Sequence, residues 1–183
     1  MSDFKEKEKI GLKRHFTQIY DTITFELKRT WKSFIMLLIV YFGIFLLFVI
    51  LNELEEVQGV EPPEKAIDYI GGYLGMLGLL IIISTSTLGA AIIVEDFQKQ
   101  TGNLLFPKIS KSRLLMGRIV SRYALNAILI IFYYILVASI TNYKYEEIPN
   151  TLRDSMGWAL LYTFMIFTFI IFMSSISKNK TTA

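Results

Sequence analysis

The chain has 183 residues, 53% of them hydrophobic and 19% charged, with 19 basic side chains against 16 acidic ones and no cysteine. That composition excludes a disordered chain, which needs low hydrophobicity, and a disulfide-built secreted domain, which needs cysteines. A mean hydropathy of +0.46 beside an ordinary charge content means that apolar and charged residues are segregated into blocks.

Residues 1–32 form a charged arm. Residues 3–9 alternate in charge and read as a solvated, frayed end. From Leu12 the apolar positions Leu12, Phe16, Ile19, Ile23 and Leu27 recur at helical spacing, with Lys13, Arg14, Asp21, Glu26 and Lys28 mostly on other faces. An amphipathic helix beside a span is expected either to lie in the headgroup plane as a plain anchor or to form an elbow helix that packs on a partner or passes movement into the span. His15, the only histidine, reads as an interfacial polar residue, and without cysteine it leaves no multi-histidine or thiolate metal site within one chain.

Four runs then lack any Asp, Glu, Lys, Arg or His: residues 33–52, 69–94, 123–143 and 155–177. Runs of eighteen or more uncharged, mostly apolar residues read as membrane-spanning helices, and these show no polar face of the kind a water-exposed helix keeps. The fold class expected is therefore an all-α integral membrane protein with four transmembrane helices, at about 33–52, 69–94, 120–143 and 155–177, making residues 33–183 the transmembrane domain. The first run follows a long basic arm and no small-residue cleavage site comes after it, so it reads as a retained signal anchor.

The connecting segments fix an orientation. The arm carries eight basic residues, residues 95–122 carry six and the tail after Ser177 two, together sixteen of the 19. The positive-inside rule puts these three in the cytoplasm, both termini included, and leaves two short acidic loops outside. Trp31, Tyr69, Tyr73, Tyr143, Tyr145 and Trp158 fall at the expected interfaces. The basic residues are thus orientation and membrane-surface charges, and nucleic acid is not an expected partner. The acidic loop at 52–68, with Glu61, Pro62, Pro63, Glu64 and Asp68, reads as a solvated loop in preference to a cation site.

Within the second run, Gly71-x-x-x-Gly75 and Thr85-x-x-x-Gly89 have the small-xxx-small spacing that lets helices approach closely. Packing within the subunit is the plain reading; a dimer interface or a translocation path is the functional one. No run holds an ionisable group other than tyrosine, which argues against a proton relay or a cation path built on buried carboxylates.

The loop at 95–119, between the second and third spans, is the most informative segment. It offers Thr101-Gly102 as a helix break, then Leu104, Leu105 and Phe106, then Pro107, after which Ser110 and Ser112 can cap a new helix. Three apolar residues in a basic aqueous loop need cover, from the bilayer surface or from a groove on a partner, and composition supports either.

The order Asp96, Lys99, Thr101, Gly102, Leu104, Leu105, Phe106, Pro107, Lys111, Arg113 and Gly117 resembles the cytoplasmic loop of ABC-transporter permease subunits of the type-2 export class, particularly archaeal members. It departs at Gln98, where an acid is common, at Gln100, often basic, and at Arg118 in the usual lysine position. The arm, the acidic outer loop and the ending at residues 174–178 also resemble that family. The resemblance implies a coupling helix, with Asp96, Lys99, Thr101, Gly102, Leu104, Leu105, Phe106 and Pro107 binding a cleft of an ABC ATP-binding subunit. ATP and Mg would then sit on that partner. This chain has no G-x-x-x-x-G-K-[ST] motif, so no catalytic residue, metal or cofactor is expected on it. The resemblance further implies a homodimer or permease pair in the cell membrane, bathed in lipid. Family permeases usually have six spans, so four imply a C-terminally short permease or spans supplied by another chain. The reading from a different class is a membrane scaffold that recruits a soluble partner through the same loop without transporting anything.

Overall fold

The computed structural model describes residues 2–59, 63–89 and 111–180. The elements are α1 (Ser2–Val57), α2 (Ala66–Gly75), α3 (Leu77–Gly89), α4 (Lys111–Tyr145) and α5 (Asn150–Lys180), with no strand among the described residues. Four helical segments are long and apolar enough to cross a membrane: Tyr20–Val57, Ala66–Gly89, Leu114–Tyr145 and Asn150–Met173. The protein is a multi-pass membrane protein of all-α class.

One expectation is corrected. The arm is not a helix set apart from the first span at about residue 33, because α1 runs unbroken from Ser2 to Val57. The reason is local: no glycine or proline occurs between Leu12 and Phe42 to stop a helix. The Thr24 and Thr30 hydroxyls, which would otherwise compete for backbone groups, donate back to the Tyr20 and Glu26 carbonyls at 3.0 and 2.7 Å. From Tyr20 to Val57 the helix is roughly 57 Å long, nearly twice a hydrocarbon core, so its first turns stand beyond the uncharged run.

The second span is broken instead. Met76 interrupts it between α2 and α3, in a stretch where Gly71, Gly72, Gly75 and Gly78 lower helix propensity. A break leaves the last carbonyls of α2 short of partners four residues on. The Tyr133 hydroxyl, from α4, donates to the Tyr73 carbonyl at 2.8 Å. Helices α1 and α4 also extend past their uncharged runs at the other end, and both stop in left-handed turns, at Gly59 (φ 84°) and Glu146 (φ 54°).

Helix α4 touches every other helix and forms its main seam with α1. Phe34, Leu37, Tyr41 and Phe45 of α1 are buried with Leu125, Leu129, Tyr133 and Val137 of α4, at the three- and four-residue spacing of one helical face. Tyr133 meets Tyr41 and Phe45 edge-on, with centroids 6.0 and 6.4 Å apart. The outward faces stay apolar, as at Met36, Ile39 and Leu47 of α1 and Phe164, Met165 and Phe169 of α5, which suits a lipid surround. Because lipid tails are as apolar as the helices, burial alone does not hold such a bundle together, and polar cross-links contribute. Tyrosines supply them: Tyr41 to Ser84 at 3.0 Å, Asn52 to Tyr73 at 3.0 Å and Tyr134 to Ser155 at 2.7 Å.

Candidate functional site

The predicted partner-binding residues Asp96, Lys99, Thr101, Gly102, Leu104, Leu105, Phe106 and Pro107 lie outside the described residues. What the structure describes is how the two flanks of that loop are held. Gly89 ends α3 on one side and Lys111 begins α4 on the other.

Between these flanks and α1 lies a buried ion cluster. Glu26 of α1 is 0% exposed, and Arg118 and Arg122 of α4 are 2% and 1% exposed. Arg122 donates to Glu26 Oε2 from Nε at 3.3 Å and from Nη2 at 3.0 Å, and from Nη1 to the Leu88 carbonyl at 2.7 Å. The other carboxylate oxygen, Oε1, faces Arg118 Nε at 3.0 Å and Arg29 Nη1 at 3.4 Å. Three guanidinium groups thus converge on one carboxylate, removed from water. Losing the carboxylate would leave two buried guanidinium groups without their anion, whereas losing one arginine leaves the carboxylate its other partners. The cluster sits on helical phase with the core: Thr22, Glu26 and Thr30 are buried one turn apart, and the same stripe continues into Phe34, Leu37 and Tyr41.

At the opposite end of the α1–α4 seam the chemistry is looser. Lys144 pairs with Glu53 at 3.1 Å and with Glu56, and its Nζ stands 5.4 Å from the Tyr69 ring centroid. The Tyr145 hydroxyl donates to the Pro63 carbonyl at 2.7 Å. Part of the acidic loop's charge is therefore engaged by the helix ends, which continue further into that loop than the uncharged runs suggest. Among the described residues no three His, Cys, Asp or Glu side chains come together as metal ligands.

The small-residue positions divide. Gly71 and Gly75 are exposed, and a methyl group at either would meet no atom within 4 Å. Thr85 and Gly89 are buried. Thr85 bonds the Ile81 and Ile82 carbonyls, and a methyl group at Gly89 would lie 3.2 Å from Ile170 Cγ2 and 3.4 Å from Phe167 Cε2. Gly89 accordingly meets α5 inside this chain, while the first pair is turned outward.

Sequence reasoning missed the cluster. It assigned Glu26 to the polar side of an amphipathic helix, and Arg118 and Arg122 to a basic loop. Two signals were present: Thr22, Glu26 and Thr30 share the phase of the first span's core, and Arg118 and Arg122 stand four apart in an otherwise apolar stretch.

A family model described as ABC-2 family transporter protein matches residues 53–183. The match covers the larger part of the chain and includes Arg118 and Arg122, with Glu26 ahead of it. No curated protein and no solved structure matches the chain.

Proposed function

The chain belongs to the ABC-2 family of transporter proteins, and from that premise we propose that it is the membrane-spanning permease subunit of an ATP-driven exporter in the cell membrane, powered by a separate ATP-binding subunit. The observation that carries this reading is the family match across residues 53–183, which takes in three of the four spans and the whole loop between the second and third. In this reading both termini and residues 95–119 face the cytoplasm. Leu104, Leu105 and Phe106 form an apolar knuckle, fixed by Pro107, that seats in a groove of the partner. ATP and Mg are held by that partner, which alone hydrolyses ATP. Two permeases face each other across the membrane plane, and Gly71 and Gly75, turned outward, allow close approach between copies. Lipid covers the remaining apolar surface.

The test is co-purification in mild detergent. An ATP-binding cassette protein should accompany the chain, and replacing Leu104, Leu105 and Phe106 together with serine should abolish that association while the four spans persist. Purification without any ATP-binding protein would favour the scaffold. Association that survives the triple substitution would move the docking site elsewhere.

A further inference from the structure

One guanidinium joins both flanks of the loop to the first helix. Arg122 stands in α4, after the loop; its Nη1 holds the carbonyl of Leu88, the penultimate residue of α3 before the loop; and its Nε and Nη2 hold Glu26 on α1. We propose that Glu26 and Arg122 are positioning residues forming a stiff joint, through which any displacement of the 90–110 segment reaches α1, so that α1, α3 and α4 move together at this end. The joint is internal to the chain; only the identity of what pushes the loop rests on the permease reading.

Three observations favour a joint over simple glue. First, the buried face of α1 changes character at this end, from Phe34 and Leu37 to Thr22, Glu26 and Thr30. Apolar side chains can slide past each other, whereas a planar guanidinium fork fixes direction and distance. Second, the carboxylate's other oxygen also faces cations, Arg118 Nε at 3.0 Å and Arg29 Nη1 at 3.4 Å, so ionic contacts on both oxygens limit its freedom to rotate away with Arg122. Third, the far end of the same seam uses Lys144, a flexible ammonium, against Glu53, which is 57% exposed. That tether tolerates rotation. A stiff joint at the loop end and a loose one at the other make α1 a lever that pivots from the loop side.

The experiment uses paired spin labels, which the absence of native cysteine makes clean. Labels on Tyr20→Cys in α1, Met116→Cys in α4 and Met173→Cys in α5 occupy exposed positions. In the chain alone, in lipid nanodiscs, the Tyr20–Met116 distance should be single and narrow. Glu26→Gln should broaden it or split it into two populations. Where Glu26→Gln does not yield folded protein, Arg122→Lys, which keeps the charge and loses the fork, decides on the same readout. An unchanged distribution in the folded variant overturns the joint. In the complex with the ATP-binding subunit, MgATP should shift the Tyr20–Met173 and Met116–Met173 distances together. Glu26→Gln should cut the first shift by about 5-fold or more while the second persists, a separation that a merely structural role does not produce. Movement of α4 without α1 in the unsubstituted protein overturns the joint. Movement of neither overturns ATP coupling, and the joint then stands or falls on the distribution in the chain alone.

Discussion

Two ion clusters close the α1–α4 seam, and their different burial predicts very different costs of removal. Arg122→Leu deletes two contacts to Glu26 and the hydrogen bond to the Leu88 carbonyl, all shielded from solvent. Breaking a buried pair from one side costs about 3–5 kcal/mol when the remaining charge is left unpaired. Glu26 keeps Arg118 and Arg29 beside Oε1, so the low end of that range, about 3 kcal/mol, applies. Leucine fills much of the space left by the stem, so the loss is mainly electrostatic. Lys144→Met removes an ammonium that is 16% exposed, facing carboxylates 57% and 33% exposed. A pair of that kind contributes about 0–1 kcal/mol, and the Tyr69 ring adds about 0.5–1 kcal/mol. Arg122→Leu should therefore destabilise the chain by about 1–2.5 kcal/mol more than Lys144→Met. Titration of unfolding with sodium dodecyl sulfate in mixed micelles, followed by far-ultraviolet circular dichroism, measures both on the same scale. Equal losses, or a loss at Arg122 below that at Lys144, would refute the claim that burial decides the strength of these clusters.

Three further outcomes are expected. Gly89→Leu should lower stability by about 1–3 kcal/mol through overpacking against Ile170 and Phe167, whereas Gly71→Leu, with open space around it, should leave the isolated subunit unchanged in the same titration. A loss of self-association on Gly71→Leu, read by cross-linking in membranes, would then assign that face to contact between copies. Tyr133→Phe should cost about 1–3 kcal/mol, because it leaves the Tyr73 carbonyl beside the Met76 break without its donor. For orientation, single cysteines at Glu64 and at Asn103 should react with an impermeant thiol reagent from opposite sides of the cell membrane, the first from outside; labelling of both from one side would overturn the topology.

The spans were legible because the signal is large: long uncharged runs have few other physical explanations. Their ends were less so. Glu53 and Glu56, charged and therefore read as loop, continue α1 and meet Lys144, a partner 88 to 91 positions away in the chain. The arm was misread for a related reason. A hydrophobic face at Leu12, Phe16, Ile19, Ile23 and Leu27 describes a helix well, but periodicity cannot say which face a buried guanidinium will select. Glu26 is buried because Arg118 and Arg122, about ninety residues on, offer it compensation for leaving water. Periodicity also could not separate the two glycine motifs of the second span. Gly71 and Gly89 sit in the same spacing, yet only Gly89 meets a neighbouring helix of this chain.

The proposed permease role stands on the loop after the second span docking an ATP-binding subunit. Asn103→Cys, the sole cysteine in the chain, can be loaded with a photoactivatable cross-linker and irradiated in native membranes. An adduct with an ATP-binding cassette protein is the predicted result, diminished when Leu104, Leu105 and Phe106 are replaced by serine. Adducts confined to lipid or to a second copy of this chain would contradict it.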